Sequence, residues 1–268
     1  MSDTRIIVEK ANGVAKVTIN RPEKHNAMDV QFFRDFGPRI DELSHESEIK
    51  AIILTGAGRS FCSGIDLAGL AEVARESASV TVLGSSLSEP FGPLQSVPRS
   101  LRACHKPVIA AVNGFASGMG MSLLCLCDHR IASEQASFAP GFIKMGLAGE
   151  FGITFILPRL IGFPLALKFL SEGETRDARW AEKAGFVDEV VSPGNLMETS
   201  QALAAKLAEM PPLALGMVKE LLYQGLESNF DYQLQSEAFA ASILLKTEDF
   251  KEGTRAFLEK RPPTFKGR

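Results

Sequence analysis

The chain has 268 residues, 45% hydrophobic and 23% charged, with a formal net charge of −3. That length holds one large domain or two small ones with a sizeable core, and the charge excludes a general basic field for nucleic acid or an anionic membrane. No apolar run is long enough to span a bilayer, and Met1-Ser2-Asp3-Thr4-Arg5 lacks the apolar stretch of a signal peptide, so a cytoplasmic protein is expected.

Arg5 to Asn20 reads as a hairpin: Ile6, Ile7 and Val8, a turn at Asn12-Gly13, then Val14, Val17 and Ile19. Asp29 to about Glu46 reads as a helix capped by Asp29, with Phe32, Phe33, Phe36, Ile40 and Leu43 on one side. Ala51–Thr55 and Val108–Val112 are short buried strands, each closed by glycines or Asn-Gly. Residues 69–100, rich in serine and carrying Pro90 and Pro93, read as a partly helical, mobile insert that could cover a site. Gly118–Cys127 reads as a buried helix, and Arg130–Ala132 and Ser137-Phe138 as strand pieces. From Phe151 onward helical signals dominate, around 165–170, 180–184, 196–210, 213–226 and 230–245. The sum is an α/β core with parallel strands and a helical C-terminal region, without internal sequence repeats. The four cysteines, Cys62, Cys104, Cys125 and Cys127, read as small buried thiols, not as a disulfide or metal set.

Two segments share one logic of buried strand, glycine-rich turn and helix start. One runs from Ile52 through Gly56-Ala57-Gly58 to Gly64-Ile65-Asp66-Leu67, the other from Val108 through Asn113-Gly114 to Gly118-Met119-Gly120. Glycines allow close backbone approach, and free N–H groups at such turns can hold an anion or an oxyanion. For either loop alone, turns and tight packing are the favoured explanation. Neither carries a dinucleotide fingerprint or a phosphate-loop Gly-Lys-Ser/Thr.

Several segments, taken together and in order, resemble the crotonase (enoyl-CoA hydratase/isomerase) family. They are Asn20-Arg21-Pro22-Glu23-Lys24-His25-Asn26-Ala27-Met28, Ser60-Phe61-Cys62-Ser63-Gly64-Ile65-Asp66-Leu67, Lys106 through Gly120, Cys127-Asp128-His129-Arg130-Ile131-Ala132, Leu157 through Gly162, Ala181 through Val191 and Arg261-Pro262-Pro263-Thr264-Phe265-Lys266. The resemblance implies a ββα-spiral core, placed at residues 1–200, and a helical trimerisation and CoA-capping region at 201–268, as a homotrimer or homohexamer. It implies an acyl-CoA thioester substrate, with coenzyme A as part of the substrate and no separate cofactor or metal. The thioester oxygen would lie on the N–H groups of Ile65 and Met119. Lys24, His25 and Ala27 would line the nucleotide end of CoA, with Ser63, Gly64, Asp66, Leu67 and Gly118 alongside, and Phe265 and Lys266 would reach the CoA of a neighbouring subunit. A Lys that some hydratases carry after the first loop is Ala68 here.

Hydratase-type members carry two glutamates, at positions that are Ser122 and Gly141 in this chain. A different acid, Glu150 in Gly149-Glu150-Phe151-Gly152, sits where enoyl-CoA isomerases of the family carry a lone carboxylate. One carboxylate suffices for a 1,3-proton shift, and an apolar pocket would raise its pKa. The plain alternative for Glu150 is a helix-start carboxylate on the macrodipole. Three readings therefore stand: an isomerase using Glu150; a hydratase or hydrolase using an acid of the insert, such as Glu72, Glu76 or Glu89; and a non-catalytic acyl-CoA-binding protein. His105, His129 and Asp128 read as structural, Asp66 as a residue that shapes its loop, and Ser122 as a nucleophile without an evident base.

Overall fold

Strand signals that alternate with glycine turns produce two sheets here. In the computed structural model, which describes residues 4–68 and 93–268, β1 (Ile6–Ala11) and β2 (Val14–Ile19) form the expected hairpin, Ile6 opposite Ile19. Asn12 and Gly13 have φ of 52° and 77°, the pair of positive values that a two-residue hairpin turn of this hand needs. After α1 (Val30–His45), each turn of the chain lays one strand in each sheet: β3 (Ala51–Gly56) then β4 (Ser60–Cys62), β5 (Val108–Val112) then β6 (Phe115–Ser117), β7 (His129–Ser133) then β8 (Ser137–Ala139). Helix α2 (Pro93–Ala103) precedes β5 and α3 (Met119–Cys125) precedes β7. The repeat that the sequence does not show is thus a structural one, a ββα unit wound three times.

The chain continues through α4 (Ile153–Ile161), α5 (Phe163–Glu172), β9 (Arg176–Asp177), α6 (Ala178–Lys183) and β10 (Glu189–Val191). The larger sheet has the order β1-β2-β3-β5-β7-β10 and the smaller β4-β6-β8-β9. Among the described residues only the β1–β2 and β8–β9 pairings are antiparallel. The sequence reading led each glycine turn directly toward a helix; the structure inserts β4 and β6, three residues each and too short to leave a period-2 pattern. The strands β9 and β10 were likewise missed, being two and three residues long.

Strands β3 and β5 are buried on both faces, as a covered parallel sheet requires. Ile52, Leu54, Val108 and Ala110 enter the main core with Phe32, Phe36 and Phe61. Ala51, Ile53, Ile109 and Ala111 face the other way, onto Leu196 and Ala204 of α7 (Leu196–Ala208). A division at 200/201 therefore falls within α7, a helix that packs on the sheet. Asp29 caps α1 as read, accepting from Phe32 N–H at 2.9 Å.

Helices α8 (Pro212–Gly225), α9 (Phe230–Leu244) and α10 (Glu248–Glu259) follow. Lys219 of α8 donates to Asp128 Oδ2 at 2.8 Å and ties this region to the core. Large side chains stay exposed here, among them Phe230, Phe239, Phe257 and Leu258. The end of the insert, 93–100, is helical as part of α2; Glu72, Glu76 and Glu89 lie outside the described residues. Among the described residues no helix is long and apolar enough to cross a membrane.

Candidate active site

The first glycine loop is shaped by an isolated parallel bridge between Met28 and Ile65. Met28 N–H donates to Gly64 O at 2.7 Å and Asp66 N–H donates to Met28 O at 2.8 Å. These bonds use the groups on either side of Ile65, so the N–H of Ile65 itself faces away from Met28. A helical turn begins at Leu67. In the second loop Gly118, at φ 51°, donates to Ala139 O at 3.0 Å, and Met119 opens α3. The first N–H groups of a helix have no intrahelical acceptor.

The two loops touch. A Cβ added at Gly64 would lie 3.5 Å from Met119 N and 2.9 Å from Ser117 O; one added at Gly120 would lie 2.2 Å from Cys62 O. Only glycine permits these approaches. The structure thus brings Gly64, Ile65, Gly118 and Met119 into one junction, with Phe142 near Gly118 on its far side.

At the positions of the two hydratase acids the space is already used. Ser122 is fully buried, its hydroxyl donating to Gly118 O at 3.3 Å. Gly141 has φ 66°, and a Cβ there would come 3.0 Å from Ser117 Oγ. Cys62, Cys125 and Cys127 are buried, with thiols pushed up to about 12, first by desolvation, so they stay protonated. Among the described residues no cluster of His, Cys, Asp and Glu could hold a metal ion.

Glu150 lies at a tight turn before α4. Its neighbour Phe151 has φ 56°, a strained value for a bulky residue, and is held by the main core and by an edge contact with Phe33 at 6.3 Å. Burial pushes the Glu150 carboxyl above the usual carboxylate range; a macrodipole acting alone would lower it. The side chain lines a cavity of about 1210 Å³, walled also by Leu94 and Pro98 of α2, Phe155 of α4 and Tyr223 of α8. Arg102 sits over the Tyr223 and Phe155 rings at 4.5 and 5.7 Å and donates to Glu227 Oε1 at 3.2 Å. Ile65 and Met119 are not on the wall of this cavity.

The predicted CoA-binding residues fall into two groups. His25 is at φ 51° with Nδ1 3.0 Å from Ser60 Oγ, its carbonyl accepts from Ser63 N–H at 3.0 Å, Lys24 is exposed, and Ala27 is buried beside the bridge. Leu67 is half exposed. The tail makes its contacts with α10: Lys266 N–H and Gly267 N–H donate to the buried Asp249 carboxylate at 2.6 and 2.8 Å, and the Phe265 ring lies against Gly253. Glu252 in the same helix is held at about 2, first by its hydrogen bond from Arg261.

Sequence reasoning gave Arg21 no role. The structure partly buries its guanidinium, with Nη1 donating to Ala27 O at 2.8 Å and Nη2 to Asp66 Oδ2 at 3.0 Å. Its partner lies 45 residues away along the chain, and no local pattern announces such a pair. Asp66 does shape its loop, as read.

The family model for enoyl-CoA hydratase/isomerase matches residues 9–268. The short-chain-enoyl-CoA hydratase of Clostridium acetobutylicum is 36% identical over 263 residues, 97% of each chain. The 1,2-epoxyphenylacetyl-CoA isomerase of Escherichia coli is 34% identical over 261 residues, again 97% of each. An enoyl-CoA hydratase structure from Bacillus anthracis superposes with a TM-score of 0.87 at 31% identity, over 99% of this chain and 100% of that one. Two glycine loops that meet at one junction, on a ββα spiral matched by the family model over residues 9–268, lead to one conclusion: the chain belongs to the crotonase, or enoyl-CoA hydratase/isomerase, family of acyl-CoA enzymes.

Proposed function

We propose that this protein is an enoyl-CoA isomerase that moves a double bond with one carboxylate. The observation that carries this reading is Glu150: an acid on a cavity wall that also carries Glu220 and Glu227, its own pKa raised by burial, while Ser122 and Gly141 occupy the positions of the two hydratase acids. A 3-enoyl thioester binds with its carbonyl oxygen on Ile65 N–H and Met119 N–H. Glu150 removes a proton from the α-carbon, and the electron pair passes through the carbonyl to the oxygen as a dienolate. The protonated Glu150 returns that proton to the γ-carbon, and the double bond closes between the α- and β-carbons. A carboxyl pKa above the usual range suits a group that must take up and release one proton in each cycle.

Coenzyme A enters as part of the substrate, and no separate cofactor is needed. Lys24, His25, Ala27 and Ser63 are assigned to its nucleotide side, and Phe265 and Lys266 to that of a neighbouring subunit. The exposed Phe230, Phe239, Phe257 and Leu258 support assembly as a homotrimer or homohexamer, because patches of this kind mark interfaces; sedimentation of a monomer at micromolar concentration would exclude it.

The hydratase reading keeps one supporting observation, the names of relatives such as the short-chain-enoyl-CoA hydratase. Paired assays separate the two. Followed by the conjugated thioester absorbance, 3-enoyl-CoA should gain absorbance and 2-trans-enoyl-CoA should stay flat. Decay of the second signal would show water addition and overturn the isomerase. Glu150→Gln that binds acyl-CoA normally but does not turn over removes the binding-only reading.

A further inference from the structure

We infer that Arg21 is a positioning residue for the oxyanion N–H of Ile65, bracing the Met28–Ile65 bridge from both of its strands. On one strand its Nη1 donates to Ala27 O at 2.8 Å and stands 3.5 Å from Asp29 Oδ2, the residues before and after Met28. On the other its Nη2 donates to Asp66 Oδ2 at 3.0 Å, the residue after Ile65. One planar guanidinium therefore spans the two backbone hydrogen bonds of the bridge. A lysine ammonium is a point donor and does not reproduce this reach.

The brace is built for rigidity. The Arg21, Asp29 and Asp66 side chains are 11%, 17% and 13% exposed, so solvent screens the pairs weakly. Asp29 is fixed in turn by Arg5 Nε at 2.6 Å and by its cap on Phe32 N–H. Among the described residues the group joins two cations, Arg5 and Arg21, to two anions, Asp29 and Asp66. The Ile65 N–H points away from the bridge, and its direction depends on where Gly64 and Asp66 are held. Displacement of such a donor by about 1 Å is enough to cost about 100-fold in rate.

This inference rests on the thioester reading of the Ile65 and Met119 N–H groups, and the test keeps the two apart. Arg21→Lys, Arg21→Met and the isosteric Asp66→Asn are compared with the wild-type enzyme. The carbonyl stretch of a bound 2-trans-enoyl thioester is recorded by difference infrared spectroscopy. Turnover is measured with a 3-enoyl-CoA and with its N-acetylcysteamine analogue, which lacks the nucleotide. In the wild type the bound carbonyl should move to lower frequency. All three variants should reduce that shift and lower kcat by about 10- to 100-fold with KM within about twofold, and the loss should be equal for both thioesters. A full carbonyl shift in Asp66→Asn and Arg21→Lys, or a loss seen only with the CoA ester, would overturn the brace; the second would make Arg21 a support of the nucleotide loop. A wild-type enzyme that binds the thioester without any carbonyl shift would sink the oxyanion assignment itself. If Arg21→Met fails to fold, Asp66→Asn decides.

Discussion

Two loops meet at the candidate oxyanion site, and the chain holds them by different means. The first, around Ile65, is held by polar groups: a two-bond bridge to Met28 and the partly buried Arg21–Asp66 pair. The second, around Met119, is held by closeness: Gly114 packs on Arg59 O, Gly120 on Cys62 O, and Gly118 takes a positive φ. A loop held by charges can be loosened in steps, because each hydrogen bond contributes separately. A loop held by absent side chains gives way all at once, because one methyl group has nowhere to go. The junction of the two loops thus has one adjustable half and one fixed half.

The largest effect is expected from neither loop. In the proposed mechanism both loops hold only the thioester oxygen, and the proton travels on another group. Glu150→Gln should lower kcat for 3-enoyl-CoA by about 100- to 10,000-fold, the usual range for a general acid–base residue. In the wild type the acidic limb of kcat/KM should lie above the usual glutamate range, because burial raises this carboxyl. Linkage gives the sign for stability. The ionised form is disfavoured in the folded chain, so its contribution is favourable at low pH and is lost as pH rises from the unfolded pKa through the raised folded one. Glu150→Gln should therefore leave Tm at neutral pH unchanged or slightly higher while activity is lost. A fall in Tm with activity retained would make Glu150 a structural helix-start residue.

Next come the glycines. Gly120→Ala places a Cβ 2.2 Å from Cys62 O, backbone against backbone, and should destabilise the fold by about 3 kcal/mol or prevent soluble expression. Gly64→Ala strains a φ of 98° and pushes at Ser117 O from 2.9 Å, at the contact between the loops. It should reduce kcat by about 100-fold through a misplaced donor, with denaturant midpoint as the control. Equal tolerance at both sites would erase the distinction between the halves.

The sequence carried the fold where signals are local. Asn12-Gly13 fixed a hairpin, Asp29 a helix start, and the runs 51–55 and 108–112 two strands buried on both faces. It did not carry β4, β6, β9 or β10, because two or three residues paired to distant partners leave no period of their own. At the site, Gly64, Ile65, Gly118 and Met119 were legible from glycine spacing joined to family resemblance. The Arg21–Asp66 pair and the Arg102–Tyr223 stack were not, since each joins segments far apart along the chain. The cavity beside Glu150 depends on α2, α4 and α8 coming together, a fact of tertiary packing alone.

The smallest expected effect is also the sharpest on chemistry. Ser122 lies in α3, one turn beyond Gly118, where a hydratase of this family carries an acid. Its hydroxyl is fully buried and is spent on Gly118 O at 3.3 Å, a long bond. Losing it leaves that carbonyl its backbone bond from Ser122 N–H at 3.0 Å. Ser122→Ala should then cost about 1 kcal/mol or less in stability and leave kcat and KM for 3-enoyl-CoA within about twofold. That small result would show that the fixed half of the junction needs no side chain at this position, only its packed backbone. A large fall in kcat with an unchanged denaturant midpoint would instead return Ser122 to the chemistry and break the single-carboxylate mechanism.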